Sequence, residues 1–256
     1  MEILLFFIIF IASFLVAFID SSYKMGYGIL TPILLILGYG IYAIIPILLL
    51  VQLLSGLSKI IFHQIYAGEG YEEAEDVSLR LTSWYLIAGI IGIIFGISFI
   101  SLIPEGIIIF YISIMLVVIG IISIIDIQIQ FNKERLAFVS AIGSFNQTIS
   151  GAGYGPLMSY EEFLHRGKSE RIKIVTTFSE SMISGLAFLL FYAFIGRAIF
   201  ADLQLILTIL VAGLMATPMG SLTMEHINMK KGKSIVAVIY IFLGSLLLIL
   251  LLLNYL

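Results

Sequence analysis

The chain has 256 residues, of which 61% are hydrophobic and 11% charged, with a formal net charge of −3 and no cysteine. Such a composition lies outside the range of soluble domains and marks an integral membrane protein. The missing cysteines exclude disulfides, thiolate metal sites and cysteine nucleophiles together.

The first apolar run, Glu2–Ile19, has no basic start and no small-residue cleavage site, so it is read as retained structure, a short helix over roughly Ile3–Ile19. A glycine stretch follows, "YKMGYGILTP" at Tyr23–Pro32, and then a shorter helix over roughly Ile29–Leu37. Next come Ile41–Tyr66, Leu81–Ile100 and Ile107–Ile129, each near the ~20 residues needed to cross a bilayer. A second glycine stretch, "ISGAGYGPLMS" at Ile149–Ser159, lies between short helices over Leu136–Ile149 and Leu157–His165. Three more long runs, Ile174–Ile195, Leu203–Leu222 and Ile235–Leu253, complete the chain and bring the expected spans to six. None shows the alternating pattern of a membrane barrel, so the fold class is an all-α integral membrane protein. The longest hydrophilic connection, Ala67–Leu79, is too short for a nucleotide-binding or catalytic domain.

Gly153-Tyr154-Gly155 falls on Gly26-Tyr27-Gly28 at an offset of 127 residues, and "VQLLSGL" at Val51–Leu57 is answered by "SESMISGL" at Ser179–Leu186. The order of these matches predicts two repeats, 1–129 and 130–256. Lys and Arg concentrate around Lys133–Arg135, His165–Lys173 and Met229–Lys233, which places those loops in the cytoplasm. Gly196–Asp202 and the Pro104–Gly106 turn are then outside, the acidic Glu69–Asp76 loop inside, and both chain ends outside. Each repeat becomes a broken-helix hairpin plus three spanning helices, and an odd number of crossings inverts the second repeat relative to the first. Inverted repeats with interrupted helices are a plan of secondary transporters, with the site where the repeats meet.

Pro156 directly after Gly155 suits a first helical turn, so the glycines mark helix N-termini. Such ends carry exposed N–H groups and a partial positive charge of about half a unit, and glycine lets a ligand touch the backbone. Two of them at one place would cradle an anion; the alternative is close helix packing through small residues, the role expected of Gly89, Gly92 and Gly96.

Glu180 lies within the span Ile174–Ile195, flanked by Ser179 and Ser181, with Gln52 at the matching position of the first half. It reads either as a coupling carboxylate that carries a proton or gates substrate, or as a neutral acid bonded between helices. Asn146, Gln147 and Ser150 approach the second glycine stretch as uncharged oxyanion donors or as caps of a broken helix. Lys24 either supplies positive charge to the first cradle or snorkels to the surface, as Lys59 and His63 are expected to do. Trp84 and Tyr85 read as interface anchors. His165 and His226 share no ligand spacing with His63, so no metal site is expected.

Four motifs in order, "MGYGILTP", "VQLLSG", "FNQTISGAGYGP" and "FSESMISGL", resemble the sulfite exporter TauE/SafE family, also called toluene sulfonate uptake permeases, over nearly the whole chain. Lys24 and Met25 depart from the pattern by standing where the second stretch has Gly151 and Ala152. The resemblance implies transport, most often export, of sulfite, sulfonates or related anions. The expected substrate-binding set is then Lys24, Gly26, Tyr27, Gly28 and Gln52 from the first half. From the second half it takes Asn146, Gln147, Ser150, Gly151, Gly153, Tyr154 and Gly155. No cofactor is expected. The expected partners are a small anionic substrate, the lipid bilayer of the cell membrane and coupled protons, with a homo-oligomer left open and no nucleic acid. The competing readings are a passive subunit of a larger complex and an intramembrane serine hydrolase using Ser150 or Ser181 with His63. No elbow motif frames either serine.

Overall fold

The structure, a computed structural model, describes residues 2–23, 25–66, 75–125, 133–152, 169–195, 202–223 and 229–253. Those residues form nine α-helices and no strand. In chain order they are α1 Glu2–Tyr23, α2 Tyr27–Ile36, α3 Ile41–Tyr66, α4 Glu75–Leu102, α5 Glu105–Ile125, α6 Lys133–Ser150, α7 Ser169–Ile195, α8 Leu203–Thr223 and α9 Met229–Leu252. An α-helix satisfies its own backbone groups, which lipid cannot do. Seven of the nine are long and apolar enough to cross a membrane, so the protein is a multi-pass membrane protein.

The count of seven corrects the expected six. The leading helix does not stop near Ile19; α1 continues through Asp20 to Tyr23, and its 22 residues extend ~33 Å, a full crossing. Its partner α2 has 10 residues, ~15 Å, and reaches only partway. The helix before the second break, α6, is the polar exception. It buries Ser140, Ser144, Asn146, Gln147, Thr148 and Ser150, because side chains of that kind facing lipid would be left without partners.

The helices are paired in an ordered way. α1 lies on α8 with their C-terminal ends together, where Ser22 Oγ donates to the Gly220 carbonyl at 3.1 Å. α6 lies along α4 in parallel: Ser140 Oγ donates to the Tyr85 carbonyl at 2.7 Å, and Gly96 faces Thr148 further along. α3 and α7 run antiparallel, with Gly56 opposite Ser181 and Leu53 opposite Gly185. α5 and α9 do the same, Gly120 meeting Ile241 and Gly244 meeting the Ser113 carbonyl. α4 also packs on α7, and α8 on α3.

The N-terminal half of α3 is enclosed. Ile44, Ile45, Ile47, Leu48 and Leu49 are all buried around its circumference, as suits a stretch apolar on every side. Outer faces such as Ile87, Ile91, Ile94 and Phe95 of α4 are exposed toward the lipid position. The starts of α3, α5 and α8 share one end of the molecule. Glu105 Oε1 accepts the Ile41 amide at 2.9 Å, and Asp202 Oδ1 accepts the Leu205 amide at 2.9 Å. Burial, and secondarily the Asp202 charge, raises the Tyr39 pKa. Gly89, Gly92 and Gly96 hold α4 close to α6 and α7, the packing role expected of them. Trp84 is 53% exposed, as an interface anchor should be, but Tyr85 is 2% exposed and belongs to the core, which corrects its assignment.

Candidate functional site

Two helix breaks meet in the interior. At the first, the chain leaves α1 and re-enters a helix at Gly26, so the glycine does mark an N-terminus. A Cβ on Gly26 would run into the Val16 carbonyl and Asp20, so only glycine lets α2 fold back this tightly on α1. The Gly26 amide donates to Asp20 Oδ1 at 3.1 Å, and Asp20 Oδ2 pairs with Lys59 Nζ at 2.7 Å. Both ionic side chains are 13% exposed. Lys59 therefore does not snorkel into a loop: it is turned inward as the counter-charge of Asp20. The Met25 carbonyl accepts the Tyr240 hydroxyl at 2.9 Å, and the Tyr27 hydroxyl donates to Ser55 Oγ at 3.1 Å.

The second break begins at Gly151, whose φ of +65° is the left-handed conformation in which a side chain is strained. The Gly151 amide closes the last turn of α6 on the Gln147 carbonyl at 2.8 Å. Carbonyls at this helix end take side chains from the first half: Thr31 Oγ1 donates to the Ser150 carbonyl at 2.5 Å, and Gln52 Nε2 donates to the Gly151 carbonyl. Gln147 Nε2 donates to Gln52 Oε1 at 2.5 Å and to Ser184 Oγ at 2.6 Å. Ser150 acts as a cap, donating to the Asn146 carbonyl at 2.7 Å and accepting the Ala152 amide at 3.1 Å. The Tyr111 hydroxyl reaches Asn146 Oδ1 at 3.4 Å. A Cβ on Gly28 would lie 3.3 Å from that of Ala152, so the two glycine segments adjoin.

Of the residues expected from sequence, Gly26, Tyr27, Gly28, Gln52, Asn146, Gln147, Ser150 and Gly151 are thus gathered around the adjoining breaks. Lys24, Gly153, Tyr154 and Gly155 lie outside the described residues. Ser179 and Ser181 are buried on α7, and Glu180 between them is half-buried, its carbonyl accepting Ser184 Oγ at 2.7 Å. Sequence reasoning missed Asp20, Thr31, Ser55, Ser184 and Tyr240. Asp20 did carry a signal: it is the one acid between Glu2 and Glu69, set in an apolar run.

The site offers amides, hydroxyls and one neutralised ion pair. Among the described residues no group of three or more His, Asp or Glu could hold a metal. The hydroxyl hydrogens of Ser150 and Ser181 are committed to backbone carbonyls, Asn146 and Thr177, so neither is poised as a nucleophile.

Apolar helices wrapped around adjoining helix breaks, with polar side chains turned inward, define a multi-pass membrane protein with a polar interior. The chain belongs to the sulfite exporter TauE/SafE family, whose model matches residues 8–247. No curated protein and no solved structure matches it.

Proposed function

We propose that the protein is a secondary transporter, working chiefly as an exporter, of sulfite, sulfonates or related small anions. The mechanism is alternating access between two inverted repeats, 1–129 and 130–256. The observation that carries this is the meeting of the two breaks, Gly28 against Ala152, within one polar network. The packing supports the repeats: a shift of 127 residues takes α3 onto α7, α4 onto α8 and α5 onto α9, and the α1–α8 contact onto the α6–α4 contact. Antiparallel α3 and α7 are what inversion requires. The anion is held by amides at the breaks and by Gln52 and Gln147, with Lys24, Tyr154 and the glycines at 153 and 155 completing the cradle. Glu180 couples proton movement to anion movement, and the end bearing Lys133 and Lys231 faces the cytoplasm.

Proteoliposomes containing this chain alone test the reading. Gradient-driven flux and counterflow of sulfite and sulfonates are both expected. Glu180→Gln, which imitates the protonated acid, keeps counterflow and loses dependence on a pH gradient. Absence of flux for every anion would sink the transporter reading, and loss of both activities, or of neither, would remove the coupling role.

A further inference from the structure

The polar relay beside Gly151 has a fixed direction. At its two ends are the backbone carbonyls of Gly151 and Glu180, which can only accept. Gln52 gives an amide hydrogen to the first, which leaves Gln52 Oε1 to accept from Gln147 Nε2 at 2.5 Å. Ser184 gives its single hydroxyl hydrogen to the second at 2.7 Å, which leaves its oxygen to accept from the same Gln147 nitrogen at 2.6 Å. Both hydrogens of the Gln147 amide are therefore committed. Turning that amide over would set its oxygen against two acceptors. Gln147 Oε1 is consequently held away from the relay, in a side chain 1% exposed, and it has no hydrogen-bond partner among the described residues. Folded proteins leave few buried acceptors in that condition, and those they leave call for a reason.

We infer that Gln147 Oε1 accepts a hydrogen bond from the substrate, so the site selects an anion that keeps one O–H or N–H donor. This rests on the transporter reading above. Gln147 is one helical turn from the break, its own carbonyl taking the Gly151 amide at 2.8 Å. A fully ionised oxyanion presents acceptors alone and meets the Gln147 oxygen as a like partial charge. An anion with one donor satisfies that oxygen and keeps its ionised oxygens for uncommitted donors at the breaks, the second Gln52 amide hydrogen among them. The donor can be the acidic O–H of a hydrogen oxyanion or a hydroxyl elsewhere on an organic anion.

The test is calorimetric titration of the full chain in detergent with ethanesulfonate and 2-hydroxyethanesulfonate, which differ by one hydroxyl. Sulfite is titrated in parallel at pH values below and above its second ionisation. The hydroxylated sulfonate is expected to bind about 10-fold tighter or better, since a site built around a substrate hydroxyl discriminates strongly against its absence. Gln147→Met, which removes the oxygen at similar length, brings the ratio to about one. Affinity for total sulfite falling above its ionisation assigns the donor to an acidic O–H; a flat series with the sulfonate ratio intact assigns it to an organic hydroxyl. Equal binding of the two sulfonates by the wild-type chain overturns the inference, as does a ratio that survives Gln147→Met. Should the variant fail to fold, the wild-type ratio decides. If no anion binds at all, the transporter reading falls and this inference with it; equal binding defeats this inference alone.

Discussion

Lys59→Met removes the cation from a pair whose anion cannot follow it to water. Asp20 is a short side chain fixed against the Gly26 amide, and the methionine leaves that N–H as its one hydrogen-bond donor among the described residues. Removing one partner of a buried pair costs ~3–5 kcal/mol. With both groups 13% exposed, the lower end applies, about 3 kcal/mol. For a protein of this size that corresponds to a Tm lower by about 6–12 °C. Asp20→Asn should be milder, ~1–2 kcal/mol, because the Asn oxygen still accepts the Gly26 amide and the long Lys59 stem can turn toward the near end of α3. The double variant Asp20→Asn/Lys59→Met carries no buried charge and should recover most of the loss. Thermal unfolding of the four proteins in one detergent closes the cycle, with a coupling of about 3 kcal/mol expected between the sites. A Lys59→Met protein no less stable than the double variant would refute the claim that Lys59 neutralises a stranded carboxylate.

Gly92→Leu should destabilise the fold by ~1–3 kcal/mol through overpacking, since its Cβ would strike the Ala141 carbonyl and sit 2.9 Å from the Phe145 amide nitrogen. Gly153→Leu, by contrast, should abolish anion binding with little change in Tm; a binder of unchanged affinity would argue against a cradle there. Gly151→Ala combines φ +65° with a Cβ 2.8 Å from Leu48 Cδ1, and should lower stability by ~1–2 kcal/mol in the same thermal assay. Cysteine reporters at positions 68, 166 and 231 should react from the cytoplasmic side and those at 105 and 196 from outside. Labelling of 105 and 166 from one side would defeat the inverted arrangement.

The long apolar runs were legible because length and hydrophobicity alone decide whether a helix can span lipid, and α3, α5 and α8 begin within two residues of their expected starts. The end of α1 was not, because the polar residues Asp20-Ser21-Ser22 read as the close of a helix. Their partners are distant: Lys59 for Asp20 and the Gly220 carbonyl for Ser22. Lys59 was misread for the same reason, since snorkelling is the default for a lone cation when its acid is 39 residues away. At the breaks, residue types were readable and pairings were not. Nothing local in "VQLL" says that Gln52 turns to the Gly151 carbonyl, 99 residues on.

The bonds at the two breaks are also unequal in when they can form. Emerging in order, Ser150 and Gly151 find Thr31 and Gln52 already made. The Met25 carbonyl must wait for a hydroxyl 215 residues later, on the last helix. At ~5–20 residues per second of synthesis, that is a delay of roughly 10–40 s. For most of it the first break also lacks the Gly220 carbonyl that receives Ser22, and throughout it lacks the Tyr240 clasp. Insertion of α9 is therefore the step that finishes the first hairpin, and a nascent chain halted before it holds its earliest helices in an unfinished assembly.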